Sequence, residues 1–367
     1  MNNVDKNTFL NINLKSISKN YKIIENKVGK NCIVAATVKA NAYGLGVKKI
    51  VPSLTRIGCK FFFVATTNEA IQLRKINKKI KIFILNGLIT KELNLIHKYN
   101  LIPVINSLSQ LKKIEHYQKQ KKITLNISLH FDTGMSRLGF DKNETKELIN
   151  NKSRLIQKSK ILLVMSHLSC ADNSNSKLNK IQLNQFNSIR SFFPKSLHSL
   201  ANSAGILLGK KYHLDMVRPG ISLYGGHCQM NEKKIYNDVI SLKAKLIQIR
   251  EIYKGDTIGY GATYKAKKRM KVGTLGFGYA DGFNRLFSNN YKILLNKKRI
   301  DIIGRVSMDL TTVDLTNLNS KEDLMNKEFE IIGSQFSINY IASLINTVPY
   351  EILTNLGKRY QRRYISI

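Results

Sequence analysis

A single lysine, Lys39, closes the apolar run Cys32-Ile33-Val34-Ala35-Ala36-Thr37-Val38 and opens the stretch Ala40-Asn41-Ala42-Tyr43-Gly44-Leu45-Gly46. The run is short, β-rich and uncharged, which predicts a buried strand. A lysine that ends such a strand sits where a barrel or sheet opens its ligand site. A buried amine loses part of its proton affinity and becomes a nucleophile, which suits Schiff-base chemistry. The glycine-rich turn after it lets backbone approach a ligand closely. On position alone, Lys39 also reads as a lysine snorkelling at a strand end. The decision between the two rests on the rest of the chain.

The elements that must position Lys39 repeat along the first two-thirds of the sequence. Short apolar runs alternate with polar amphipathic stretches. The runs are Cys32–Lys39, Phe61–Thr67, Lys81–Asn86, Leu101–Asn106, Ile123–Phe131, Ile161–His167, Ser196–Ala201 and Met216–Tyr224. Between them lie helix-like segments such as Thr67–Arg74, where Thr67 reads as the N-cap and Ala70 and Leu73 share a face. Eight strands alternating with helices predict a parallel (β/α)8 barrel of the TIM type, with an open doubly wound sheet as the alternative. After about Gly226 the texture becomes β-rich and turn-rich, with strands expected over Val239–Ile252, Val272–Gly278, Tyr291–Leu295, Arg299–Ile303, Thr311–Leu315 and Phe329–Ile332. Short helices are expected over Ile338–Ile345 and Val348–Leu356. The expected organisation is an α/β barrel over residues 1–232 and a mostly β domain over residues 233–367.

Placed on that barrel, the unusual polar residues Lys39, Arg137, His167, Ser203 and Arg218 fall at the carboxyl ends of strands. That face of a barrel carries the active site, so five strand ends converge on one pocket. This convergence weighs more than any one residue.

Composition narrows the classes. The chain has 367 residues, enough for two domains with real cores, and 43% hydrophobic residues, which argues against disorder. No apolar segment approaches the roughly 20 residues needed to cross a bilayer, and the start has no apolar signal core, so a cytoplasmic location with no membrane partner is expected. Cys32, Cys59, Cys170 and Cys228 are scattered without metal-ligand spacing, so no metal is expected. The net charge of +36 invites a nucleic-acid reading. The lysines, however, spread over nearly every segment, and runs such as Lys265-Ala266-Lys267-Lys268-Arg269 are short. A genome-wide compositional bias explains them better than a dedicated polyanion partner.

Seven motifs now bear on one family. They are the Lys39 stretch, Asp132–Gly139, Ala201–Ala204, Val217–Ile221, Gly259–Tyr264, Gly278–Gly282 and Gly304–Asp309. In order and spread they resemble the alanine racemases, over essentially the whole chain. The resemblance implies pyridoxal 5'-phosphate as cofactor, alanine as substrate, D-alanine supplied for a peptidoglycan precursor, and a homodimer with shared active sites. It implies that Lys39 holds the cofactor through its amine and acts as the base on the D side, while Tyr260, reaching in from the second subunit, is the opposite base. Free tyrosine titrates near about 10, so such a base needs cations and hydrogen bonds to lower it. Read from the residues alone, Tyr260 is a turn aromatic packed against Tyr264.

By the same resemblance Arg218 faces the pyridine nitrogen, where many pyridoxal enzymes place an acid. A guanidinium donates a hydrogen bond without giving up its proton. The result is a weaker electron sink and less transamination. His167 would orient Arg218; on its own it reads as a satisfied core histidine. Tyr43, the Ser203 hydroxyl and amides near Gly220 and Ile221 would hold the phosphate, Ser203 standing before a helix whose amino end favours anions. Arg137 would meet the cofactor's phenolic oxygen or the substrate carboxylate; alone, it is a surface arginine in a glycine-rich loop. Met308, from the partner subunit, would lie near the substrate methyl, and Tyr279 would line the entrance.

Two departures stand out. His130 occupies a position where many family members carry a carbamylated lysine bracing the arginine, so either a small anion replaces the carbamate or the brace is lost. Lys358-Arg359-Tyr360-Gln361-Arg362-Arg363-Tyr364 does not align well enough to assign the tyrosine that often contacts the phosphate. Three other readings compete: a racemase of different or broader specificity, a pyridoxal-phosphate binding protein that lacks the β domain, and a decarboxylase of basic amino acids that presents an acid where Arg218 stands.

Overall fold

The computed structural model describes residues 7–229, 234–318 and 323–366. The chain divides into two compact units, Ile17–Asn237 and Met1–Ser16 with Asp238–Ile367. The expected boundary between residues 232 and 233 lies outside the described residues.

The first unit is a barrel of parallel strands: Ile33–Thr37, Phe61–Val64, Lys81–Ile84, Ile102–Ile105, Asn126–His130, Lys160–Met165, Leu197–Ser199 and Met216–Val217. The first strand is interrupted only at Ala35. Its amides alternate between neighbours: Ala35 and Thr37 donate to Val217 and Pro219 at 2.9 Å each, and Val38 donates to Phe63 at 2.9 Å. The eighth strand therefore pairs with the first. It meets the seventh through Asp215 N to His198 O at 3.2 Å and Arg218 N to Ala201 O at 2.9 Å, which closes the ring. Ala35, Phe63, Phe83, Ile102, Val104, Leu163, Met165 and Met216 form one buried cluster, contributed by six of the eight strands. Strands buried on both faces need such continuous apolar runs, which is why they were readable from sequence.

Helix starts are less legible. The helix Thr67–Ile76 is capped by Thr66, not Thr67: the Thr66 hydroxyl accepts from the Glu69 amide at 3.3 Å in a capping box. Thr67 is already helical, and its hydroxyl donates to Glu92 at 2.6 Å. Two adjacent threonines offer the same chemistry, and only the spacing to Glu69 selects the first.

The second unit carries a six-stranded sheet in the order Lys298–Asp301, Lys292–Leu295, Phe329–Ile332, Ile240–Ala244, Thr8–Asn13, Gln361–Ile365. A three-stranded sheet joins Leu246–Ile252, Met270–Leu275 and Thr311–Asp314. The expected strand over Val239–Ile252 is thus two strands in two sheets. Sequence also places residues 1–232 together, whereas Thr8–Asn13 pairs antiparallel with Ile240–Ala244 and parallel with Gln361–Ile365. Leu10 and Ile12 are fully buried and alternate with the less buried Asn11 and Asn13, and the Arg363 guanidinium lies 3.6 Å from the ring centroid of the buried Phe9. Helices Ile338–Leu344 and Pro349–Thr354 follow. Among the described residues, no helix is long and apolar enough to cross a membrane.

Candidate active site

The barrel's carboxyl end gathers the charged residues expected there. Lys39 follows the first strand directly, and the next four residues are all left-handed: φ is 52° at Ala40, 54° at Asn41, 55° at Ala42 and 55° at Tyr43. Left-handed helix costs an L-residue about 1–2 kcal/mol. Local bonds offset part of this: Gly44 N to Ala40 O at 2.7 Å, Gly46 N to Asn41 O at 2.9 Å, and Val47 N to Asn41 Oδ1 at 3.0 Å. The turn leaves Lys39 exposed and buries Tyr43. Desolvation nevertheless pulls the Lys39 amine below its ordinary value, the Arg137 guanidinium adds to this, and Glu69 opposes it.

Arg218 is 4% exposed and follows the eighth strand. It donates to the Ser199 hydroxyl, to Ser166 O at 2.6 Å, to Leu200 O at 3.3 Å and to His167 Nδ1 at 3.3 Å. Burial lowers it to about 9. It therefore stays a cation at neutral pH, surrounded by acceptors that fix its plane. His167 is held well below the usual histidine value by burial and then by Arg218, with Arg137, His130 and Lys39 contributing. These groups share one mouth.

Ser203, Gly220, Ile221 and Tyr43, the residues expected around a phosphate, also lie together. Ser203 opens the helical turn Ser203–Leu207, which Asn202 caps through Gly205 N at 2.9 Å, so the cap is one residue earlier than Ser203. The Ser203 hydroxyl accepts from Gly220 N at 2.9 Å and lies 3.0 Å from Ser222 Oγ. The Gly220 amide is thus engaged by Ser203. A side chain at Gly220 would overlap the Tyr43 hydroxyl, and Tyr43 packs against Tyr224 with ring centroids 4.7 Å apart and planes tilted by 36°. Ile221 is fully buried and heads the turn Ile221–Tyr224.

Asp132 shapes the Arg137 loop. Its carboxylate collects the amides of Gly134 at 2.9 Å, Met135 at 2.8 Å and Ser136 at 2.8 Å. Arg137 is exposed and makes no hydrogen bond or ion pair among the described residues. His130 is buried. Its Nδ1 lies 2.8 Å from Asn106 Oδ1, and because Asn106 Nδ2 donates to Val104 O at 3.0 Å, that oxygen accepts and Nδ1 carries the proton. Burial, reinforced by Arg218, lowers His130 to about 3.

Acid should therefore weaken the fold. Unfolded, His130 takes its proton near about 6.5; folded, it does not. Stability from this group is complete above that value and falls as pH drops toward 3, by about 1.4 kcal/mol per pH unit, because the unfolded chain binds the extra proton. His167 acts in the same sense. Urea melts across this range should fall less steeply for His130→Asn. Equal slopes would mean that His130 does not resist protonation in the folded chain.

The remaining predicted residues lie in the second unit. Tyr260 sits between Gly259 (φ 71°) and Gly261 (φ 73°) and is 72% exposed, while Tyr264 donates to Met270 Sδ at 3.6 Å. Met308 and Tyr279 are 53% and 44% exposed, and their loops are joined by Tyr279 N to Ser307 O at 3.1 Å and Ala280 N to Met308 O at 3.0 Å. Arg359 clamps both loops, donating to Asp281 at 2.7 and 2.8 Å and to Asp309 at 2.7 Å. Sequence reasoning missed Arg359, Asp132 as a loop brace, and Glu69. Only Asp132 carried a local signal, a carboxylate followed by Thr-Gly.

Comparison with known proteins covers both units. Residues 12–228 match the family model "Alanine racemase, N-terminal domain" and residues 239–364 match "Alanine racemase, C-terminal domain". The chain is 43% identical to an alanine racemase of Rickettsia bellii over 91% of this chain and 82% of that protein. It is 39% identical to one of Rickettsia canadensis over 97% and 98%. Its fold matches the crystal structure of alanine racemase from Bartonella henselae with covalently bound pyridoxal phosphate, at TM-score 0.93 and 35% identity, covering 98% of this chain and all of that one. The C-terminal match removes the reading as a binding protein without a β domain. The chain belongs to the alanine racemase family of pyridoxal-phosphate-dependent isomerases.

Proposed function

We propose that Lys39 and Tyr260 exchange the Cα proton of alanine on its two faces, interconverting the L and D isomers. The observation that carries this reading is the buried Arg218 cation, held by three neighbouring oxygens and His167 at the same mouth as Lys39. The residues fit the family's cofactor. Gly220 has room for no side chain beside Tyr43, the Ser203 hydroxyl retains its own proton to donate, and Arg218 presents a donor that stays charged at neutral pH. When bound, pyridoxal phosphate supplies the electron sink that acidifies the substrate Cα–H.

The protein's own part is proton transfer and orientation. Lys39, with its amine pulled below its ordinary value, gives up its own proton more readily and, once neutral, can take one from the D isomer. Tyr260 takes it from the L isomer, and its exposure supports a role in a site completed by a second subunit of a homodimer. The unpaired Arg137 guanidinium is available to a substrate carboxylate or the cofactor's phenolic oxygen, and Met308 bounds the substrate methyl while Tyr279 lines the entrance. The product would feed peptidoglycan synthesis in the cytoplasm.

Racemisation of each alanine isomer in deuterium oxide, followed by NMR and chiral separation, tests the assignment. In Tyr260→Phe, cofactor binding is expected to persist while turnover falls by about 10²–10⁴-fold. Cα exchange of D-alanine without inversion should survive, because Lys39 is untouched. Wild-type turnover in that variant would mean that another group is the second base.

A further inference from the structure

We propose that Glu69 is a positioning residue that holds the left-handed turn presenting Lys39, an inference that rests on Lys39 being the cofactor lysine. One Glu69 oxygen accepts the Ala40 amide at 2.6 Å, and the other accepts the Ala65 amide at 2.8 Å. Ala40 is the first of the four left-handed residues, so the carboxylate grips the turn where its departure from ordinary backbone begins. Ala65 follows the second strand, so the same group ties the ends of two neighbouring strands together.

A helix cap would explain Glu69 only in part. The capping box uses its bond to the Thr66 amide, which at 3.3 Å is the longest of the three. The shorter two go to the site loop and the strand end. Hydrogen bonds to a charged acceptor are the stronger kind, and replacing one is felt most where the backbone would otherwise relax. Without the carboxylate, the Ala40 amide has no acceptor among the described residues, and the turn is free to unwind toward right-handed backbone.

Charge gives a second consequence. Arg137 and Glu69 act on the Lys39 amine with opposite signs, and Lys39 in turn acts on His167. Removing the Glu69 charge takes away support for the ammonium, so the neutral amine should form at lower pH. Mere loosening of the turn into water would move it the other way, toward an ordinary lysine.

The test compares wild type, Glu69→Gln, Glu69→Ala and Thr66→Ala as full-length holoenzymes. Loss of pyridoxal phosphate during gel filtration and the pH midpoint for its absorbance on reconstitution are read together. Glu69→Ala should lose cofactor about tenfold faster or more, while Glu69→Gln, which keeps an oxygen for the Ala40 amide but no charge, should be intermediate in loss and show a lowered midpoint. Thr66→Ala, which damages only the cap, should keep wild-type retention and midpoint. Faster loss in Thr66→Ala equal to that in Glu69→Ala would overturn the proposal, since the effect would then belong to the helix cap. So would unchanged retention and midpoint in both Glu69 variants. If Glu69→Ala does not fold, Glu69→Gln decides by the same criteria. If wild type and Lys39→Ala acquire the cofactor absorbance alike, the Lys39 assignment fails, and Glu69 loses its positioning role with it.

Discussion

Lys39→Ala should abolish racemisation in both directions and the absorbance of lysine-bound cofactor, while leaving the fold unchanged. The Lys39 amine makes no hydrogen bond among the described residues, and the left-handed backbone begins only at Ala40. Stability should therefore stay within about 0.5 kcal/mol of wild type, as for other exposed positions. Turnover is a different matter. A positioned base contributes about 10²–10⁴-fold, and the same nitrogen also holds the cofactor, so a loss at or beyond the upper end is expected. Chiral chromatography starting from each isomer gives the rates, and absorbance gives the linkage. Persistence of the absorbance would sink the assignment of Lys39.

Arg218→Glu should have the second largest effect, on stability and on product. The guanidinium fills a buried site whose neighbours are the Ser199 hydroxyl, the carbonyls of Ser166 and Leu200, and His167. A carboxylate there faces the same carbonyls without donors and loses its compensation. Removing one side of a buried charged network costs about 3–5 kcal/mol, and burial would favour the protonated acid. A protonated acid can hand on its proton, which Arg218, at about 9, withholds. More turnovers should then end in pyruvate rather than D-alanine. The ratio of the two products checks the prediction, read beside a thermal melt, since it is independent of how much protein survives folded. An unchanged ratio would refute the account of Arg218 as the group that keeps the electron sink weak.

Much of this site was legible because barrel strands are buried on both faces. Apolar runs ending at Lys39 and His167 mark strand ends by composition alone, and strand ends in a barrel face one mouth. The motifs of the second unit were equally visible, because Gly259 and Gly261 must flank Tyr260 to permit their positive φ. These are local properties, carried by neighbours a few residues apart.

Other features depend on groups that meet only when the chain folds. Thr8–Asn13 alternates like a strand, but nothing in that alternation names Ile240–Ala244 as its partner, because periodicity reports which face is buried and not against what. Glu69 stands inside an ordinary capping box, and its two shortest bonds are invisible until Ala40 and Ala65 arrive. The left-handed turn violates local preference outright at Ala40, Ala42 and Tyr43, and local bonds together with the tertiary one from the Ala40 amide to Glu69 sustain it. His130 was recognisable as a departure, but its neutrality comes from burial reinforced by Arg218, and its tautomer from Asn106, whose oxygen accepts from Nδ1. Residue types and local spacing thus determined which chemistry this protein could perform and on which strand ends. The tertiary structure decided the protonation states and the braces, because desolvation and long-range hydrogen bonds exist only between groups that folding brings together.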